Sequence, residues 1–411
     1  MPVSFCRLFA LRLLATGALL VCLSGLPAWL SPAAEAAGAA TMGSGADSAS
    51  PMRVLHVDID YLYDPDAAQQ QRNLDALIAR VRALGANTVF LQAFADPQGD
   101  GLVRSVYFPN RVLPVRANLF AEVSQALRER TGVAVYAWMP VLSLDIADTT
   151  IERVSGWSAH DPHAPPQPDP AAYRRLSPFD PRAREQITQL YEDLAHTAPV
   201  DGLLFHDDAM LGELEDAGVH AREALRQAGL PDNLLQLTAS PENRRAWTRL
   251  KSRRLTGLTL ELAQRVRAIQ GPQVKTARNL FALPILQPES EAWFAQNLDD
   301  FLQAYDWTAP MAMPLMEGVA AKDAGRWLQD LVRTVGKRPG ALERTVFELQ
   351  TRDWSRPGSP AVDAAVMAGW MATLQQAGAR HFGYYPEDFI AGRPDAADLQ
   401  QVFPPAARTA R

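Results

Sequence analysis

From residue 52 onward the chain alternates short apolar runs with longer segments of helical spacing, and few folds accept that rhythm. Strand-like runs fall at 54–60, 88–94, 133–139, 201–206, 274–282, 307–313, 345–349 and 380–385. Between them apolar residues recur at three- and four-residue steps, as in Leu74, Leu77, Ile78, Val81 and Leu84, where Gly85 supplies a stop. Helices are expected on the same grounds at 119–130, ended by Gly132, and at 182–196, 246–269, 290–305, 324–335 and 361–376. Eight strands with intervening helices in about 340 residues point to the α/β class and to a single (β/α)8 TIM-type barrel. An open doubly wound sheet is the alternative, but no Gly-rich phosphate loop follows the first strand. The connections are lopsided. Segments after strand ends are long (60–71, 95–118, 140–181, 207–243), whereas returns such as 83–87 take a few residues. A barrel with long loops on its C-terminal face has its site on that face.

The 411 residues are 47% hydrophobic and 21% charged, which allows a large core and sets the chain apart from disordered ones. A formal charge of -6 argues against a nucleic-acid binder, whose footprint would be basic. Cys6 and Cys22 are the two cysteines, so thiol chemistry and disulfides are excluded from everything after them. Arg7 and Arg12 precede an apolar run at 13–23, and Ala34-Glu35-Ala36 has the small-x-small form of a cleavage site. Residues 1–36 therefore read as a secretory signal peptide cut after Ala36, 37–51 as a flexible linker, and 52–405 as the barrel. The apolar run is short for a bilayer span, and Val21 before Cys22 does not suit lipid attachment. The expected location is the periplasm or the exterior.

Chemistry-bearing residues collect at the ends of the strand-like runs. Asp58 and Asp60 end the first, with Tyr61 just beyond; Asp96 follows the second and Trp138 ends the third. His206-Asp207-Asp208 ends the fourth, Arg278 and Asn279 lie in the fifth, Glu348 in the seventh, and Tyr384 and Tyr385 in the eighth. Acids among aromatic residues suit a carbohydrate cleft: rings stack on sugar faces, one acid protonates the leaving oxygen, and another group stabilises oxocarbenium-like charge. Two adjacent acids after an apolar strand repel each other and can push one pKa into the range of a general acid. A helix N-cap is the structural alternative for Asp207 or Asp208. Period-two alternation from Leu203 and Phe205 favours Asp207 as the proton donor. The same alternation puts Asp58 and Asp60 on one face, where a structural, arginine-paired role competes with a functional one. Glu348 is noted by analogy with barrel glycosidases that place carboxylates after strands four and seven. Arg278 is the expected counter-charge to the acids, and His56 reads as a core histidine. The histidines show no metal-ligand spacing, so no metal or other cofactor is implied.

Several strings carry a closer resemblance. Val57-Asp-Ile-Asp-Tyr-Leu-Tyr-Asp64, Leu91-Gln-Ala-Phe-Ala-Asp-Pro97, Tyr136-Ala-Trp-Met-Pro140, Phe205-His-Asp-Asp-Ala209, Lys275-Thr-Ala-Arg-Asn279 and Tyr384-Tyr-Pro386 occur in this order. Together they resemble the C-terminal hydrolase domain of the PgaB family of bacterial poly-β-1,6-N-acetylglucosamine (PNAG) deacetylases. The resemblance implies a barrel glycoside hydrolase that cleaves within partially deacetylated PNAG, a biofilm exopolysaccharide. It places the catalytic acid at Asp207 or Asp208 and the sugar in an acidic, aromatic groove. Family members carry a metal-dependent deacetylase domain ahead of the hydrolase. Here a signal and a short linker precede Pro51, so deacetylation is not expected. The implied partners are the polymer and, as candidates, exopolysaccharide export or deacetylase proteins. A non-catalytic barrel that holds polymer for export would keep the same aromatic residues and acids and need no proton donor.

Overall fold

The computed structural model describes residues 50–170 and 172–399. The expected signal peptide, nearly all of the linker and residues 400–405 of the expected barrel span lie outside these. Eight parallel strands form the centre: β1 (Arg53–Val57), β2 (Thr88–Gln92), β3 (Ala134–Met139), β4 (Gly202–Phe205), β5 (Lys275–Leu280), β6 (Trp307–Pro310), β7 (Val346–Gln350) and β8 (His381–Tyr385). Hydrogen-bonded neighbours run β6-β5-β4-β3-β2-β1-β8-β7. The ring is thus a TIM-like barrel, nearly closed. Between β6 and β7 the pairing thins to two isolated parallel bridges, Thr308 with Thr345 and Met311 with Glu348. The sequence explains the thin seam. Met311 N donates to Leu280 O on β5, so the preceding position faces β7, and there Pro310 has no N–H to give.

Helices α1 (Ala67–Leu84), α2 (Phe120–Thr131), α3 (Pro181–Thr197), α4 (Pro241–Gln270), α5 (Leu298–Ala304), α6 (Ala324–Gly336) and α7 (Ala364–Gln376) pack around the ring. Leu74, Leu77, Ile78, Val81 and Leu84 are the buried apolar stripe of α1, which forms because they share one face at 3.6 residues per turn. Side chains of Asp66, Asp180, Ser240, Asn297 and Asp363 accept from first-turn amides of their helices, each cap contributing about 1 kcal/mol.

One expected helix is broken. The 290–305 segment forms a single turn at Glu291–Phe294, turns at Ala295 with φ 51°, and restarts as α5. Asn297 is the reason: its side chain accepts from the Asp299 and Asp300 amides, and Asn favours such a cap over a helix interior. Strands also end earlier than the apolar runs. After Val57 the chain enters a 3-10 turn at Ile59–Tyr61, and after Gln92 it forms a short hairpin between Phe94–Ala95 and Ser105–Val106. Both departures curl acid-bearing segments over the top of the barrel.

The upper interior layer comes from alternate strands, as barrel geometry requires. His56 (β1), Trp138 (β3), Asn279 (β5) and Glu348 (β7) meet there: His56 Nδ1 is 3.1 Å from Glu348 Oε2, Asn279 Nδ2 is 3.4 Å from Glu348 Oε1, and the His56 and Trp138 rings lie 4.2 Å apart. His56 is thus a paired core histidine.

Candidate active site

A cleft of about 550 Å³ opens above that layer. Among the residues named from the sequence, it is lined by Asp58, Asp60, Tyr61, Asp96, Trp138, His206 and Tyr385. Five elements supply them. The turn after β1 carries Asp58, Asp60 and Tyr61, the hairpin after β2 leads into Asp96, Trp138 is the penultimate residue of β3, His206 follows β4, and β8 ends in Tyr385. The Trp138 ring lies 4.8 Å from Phe94, 5.1 Å from His206 and 5.5 Å from Tyr385, a continuous aromatic wall.

The acids are not equivalent. Asp60 is saturated: Oδ1 accepts from Tyr107 Oη at 2.6 Å, while Oδ2 accepts from the Asp96 amide at 2.8 Å and from Gln92 Nε2 at 3.2 Å. Its work is to pin the hairpin to the turn after β1. Asp96 accepts from the Gly101 amide at 2.9 Å, yet burial raises its pKa above the ordinary carboxylate value. Asp58 has only Tyr385 Oη, at 3.3 Å on Oδ2, and its buried Oδ1 has no protein partner. Burial, with the charge of Asp60 adding to it, pushes Asp58 up to about 8.

His206, Asp207 and Asp208 form a turn rather than a strand end, and no helix starts until Val219, so neither acid is an N-cap. Asp208 is fully buried. Its Oδ2 accepts from the amides of Val141, Leu142 and Ser143 at 3.1, 2.7 and 2.6 Å. Burial acts to raise its pKa, but His206 and these amides outweigh it and hold Asp208 ionised, below the usual range. Asp207 differs: burial raises it, and the charges of Asp208 and Glu348 add to the rise against the pull of His206. His206 Nδ1 lies 3.0 Å from Asp207 Oδ1 and 3.4 Å from Asp208 Oδ1. The Asp208 amide also points at Nδ1, at 3.1 Å, which favours a neutral ring. Two carboxylates outweigh one amide dipole: burial alone would lower the His206 pKa, and the two charges carry it up to about 9.

The alternation argument for Asp207 does not hold, because Phe205 packs its ring against Tyr191 of α3 and the strand ends there. The two acids differ instead in that the amides of Val141, Leu142 and Ser143 hold Asp208. Neither Asp207 nor Asp208 is among the residues that line the cleft; His206, which touches both, is. Other expected site residues point away from the cleft. Arg278 is buried against Phe301 and donates to Tyr305 Oη and Ala209 O, each at 2.7 Å, so it forms no ion pair with the acids of the mouth. Tyr384 faces the helix side and donates to Glu387, which Arg80 also holds. Asn279 and Glu348 lie in the layer below. Gln92, Phe94, Tyr173, Arg352 and Trp354 also line the cleft. Arg352 and Trp354 sit just beyond β7, where strand-end reasoning could have found them; Tyr173 lies in a Pro-rich loop with no local signal.

Residues 56–385 match the family described as hypothetical glycosyl hydrolase family 13. The structure of the PgaB (BpsB) glycoside hydrolase domain from Bordetella bronchiseptica superposes with a TM-score of 0.80 at 43% identity, over 86% of this chain and 99% of that one. The chain belongs to the PgaB glycoside hydrolase family. The poly-β-1,6-N-acetyl-D-glucosamine N-deacetylase of Escherichia coli K12 is 50% identical over 355 residues, 86% of this chain. That match covers 52% of the relative, so the chain spans about half the length of the curated PgaB-like protein it resembles. The α-L-fucosidase isoenzyme 2 of Paenibacillus thiaminolyticus shares the fold alone, at 12% identity and a TM-score of 0.56 over 86% of this chain and 48% of that one.

Proposed function

We propose that this glycosyl hydrolase domain cleaves within partially deacetylated PNAG, after export to the periplasm or beyond. Asp207 is the proton donor to the glycosidic oxygen, and Asp58 with Asp96 receives the positive charge of the sugar. One observation carries the reading: Asp58 Oδ1 and Trp138 Nε1 are both buried against one acidic, aromatic cleft without a protein hydrogen-bond partner, and His206, which lines the same cleft, lies 3.0 Å from Asp207 Oδ1. A buried polar group left unmatched costs about 1–3 kcal/mol, and sugar hydroxyls and amines supply the missing partners. A glucosamine ammonium beside Asp58 would restore the carboxylate that burial disfavours. Asp207, raised but not buried beyond reach of His206, keeps its proton more readily than Asp208 and returns to the ionised form with His206 as counter-charge. General acid catalysis of this kind contributes about 100- to 10,000-fold. Glu348 supports the site from beneath, through its charge beside Asp207 and its contacts to His56 and Asn279. The name of the Escherichia coli relative points to the same polymer, and the expected signal segment to the compartment.

The test is product size. Partially deacetylated PNAG incubated with the protein should shorten through mid-chain cuts. Retention of intact polymer would instead make the barrel a binder.

A further inference from the structure

Three buried cations, each from a different part of the chain, converge on the segment that follows His206-Asp207-Asp208. Arg278 on β5 donates to Ala209 O at 2.7 Å. Arg175, in the loop between β3 and α3, donates through Nη1 to Met210 O and through Nη2 to both oxygens of Glu215, at 2.9 and 2.8 Å. Lys251 on α4 donates to Gly212 O at 2.6 Å and Glu213 O at 3.2 Å, and its ammonium sits 4.4 Å from the Trp247 ring centre. Their exposures are 0%, 2% and 1%. A single buried carboxylate, Glu215, is paired directly with this set, and it turns back to accept from the Gly212 amide at 2.7 Å.

This is a costly way to anchor a loop. A buried cation loses several kcal/mol of hydration, and neutral carbonyls return less of it than a carboxylate would. The cost is visible at Lys251, where burial, opposed by Glu215, Glu213 and Asp216, brings the pKa down to about 7. Neutral donors could tie the same carbonyls at far lower cost. What the cations add is rigidity over consecutive peptide units: four of the five carbonyls from Ala209 to Glu213 are held from three directions. Asp207 lies two residues upstream of the first. A displacement of about 1 Å in a catalytic group can cost about 100-fold in rate.

We infer that Arg175, Lys251 and Arg278 are positioning residues of the hydrolytic site, which fix Asp207 against His206 by ligating the carbonyls of the loop that follows it. The inference rests on the proposed function only in taking Asp207 as the proton donor. It also gives Arg278 a role other than counter-charge at the mouth.

The experiment compares wild type with Lys251→Met, which keeps the stem and removes the ammonium, and with Arg278→Lys, which keeps the charge but loses the fork that reaches both Tyr305 and Ala209. Each is assayed on partially deacetylated PNAG. Each is also titrated without substrate by NMR on histidine-labelled protein, with His206→Gln identifying the signal. The imidazole faces Asp207, Asp208 and Asp96. In a folded Lys251→Met protein kcat should fall at least about tenfold with KM within about twofold. The His206 pKa should drop by about one unit as its carboxylates part from it. Arg278→Lys should show the same split to a smaller degree, and it carries the test if Lys251→Met does not fold. A folded variant with a lower melting temperature but unchanged kcat and unchanged His206 titration would make the cations loop anchors and overturn the inference. If wild type cleaves no polymer, the proposed function fails, while the substrate-free titration still decides whether the cations place the two side chains.

Discussion

Replacing Asp208 and Asp207 separately by Asn should split stability from catalysis, because the two neighbouring carboxyls are held so differently. Asp208 Oδ2 accepts three main-chain amides at 2.6–3.1 Å, and its Oδ1 takes the Val141 amide again at 3.0 Å. Hydrogen bonds to a charged group contribute about 1.5–3 kcal/mol, and neutral ones about half that. Asp208→Asn can keep one oxygen on the amides but loses about 1 kcal/mol at each of three, and it turns an NH2 group toward an N–H. It also removes a charge that faces His206. The expected loss is about 3–5 kcal/mol, a large part of a typical total of about 5–15, so the variant folds but melts early. Asp207 is reached by none of the amides that hold Asp208; its close partner is His206 Nδ1, at 3.0 Å from Oδ1, and burial already disfavours its charge. Asp207→Asn gives up that one ion pair but relieves a buried charge, so it should lose no more than about 1–2 kcal/mol, clearly less than Asp208→Asn, while turnover falls about 100- to 10,000-fold. Urea unfolding followed by tryptophan fluorescence at pH 7, beside initial rates, reads both. Equal stability losses in the two variants, or full stability in Asp208→Asn, would refute the reasoning.

Three further outcomes follow from the cleft. Asp58 ionises in the unfolded chain near 3.8 but in the folded protein at about 8, so across that window the folded state binds more protons and stability falls as pH rises; Asp58→Asn should flatten this fall and be more stable than wild type at pH 8 by at least about 1 kcal/mol, as urea titrations at pH 5 and 8 will show. Binding of a partially deacetylated oligomer at pH 7 should release a proton as the ammonium re-ionises Asp58, whereas a fully acetylated one should not, which calorimetry in buffers of different ionisation heat detects. At Gly101, with φ 72°, an added Cβ would lie 2.1 Å from the Tyr173 ring; Gly101→Ala should cost about 1–2 kcal/mol in stability and at least about tenfold in kcat/KM as Tyr173 leaves the cleft wall.

The barrel was legible because its buried strands are near-continuous apolar runs, and a helix stripe such as Leu74 to Leu84 permits few other readings. Strand ends were less so. Asp58 and Asp60 follow Val57 without any break in pattern, and only the 3-10 turn and the Tyr107, Gln92 and Asp96 contacts distinguish one acid from the other. The break at Ala295 turned on a single capping Asn. In the site, strand-end position brought seven named residues to one cleft but could not say which way a side chain points after alternation lapses. Tyr384 and Tyr385 are adjacent, yet one binds Glu387 on the helix side and the other reaches Asp58. Alternation favours Asp207 through a face that Phe205 turns to α3; what separates the two acids, invisible in sequence, is that the Val141, Leu142 and Ser143 amides reach Asp208. Tyr173 arrives from a distant irregular loop, and the contacts of Arg175 and Lys251 span 35 and 39 positions, beyond the reach of any local pattern.

If an acidic cleft selects an amine-bearing polymer and Asp207 cuts it, cleavage depends on free amines and on one carboxyl group. The most direct measurement is the initial rate of mid-chain cleavage on PNAG samples that differ only in degree of deacetylation, for wild type and Asp207→Asn. Cleavage should be absent on fully acetylated polymer, rise with free-amine content, weaken as added salt screens the cleft, and vanish with Asp207→Asn. Equal rates on fully acetylated polymer, or undiminished cleavage by a folded Asp207→Asn protein, would contradict it.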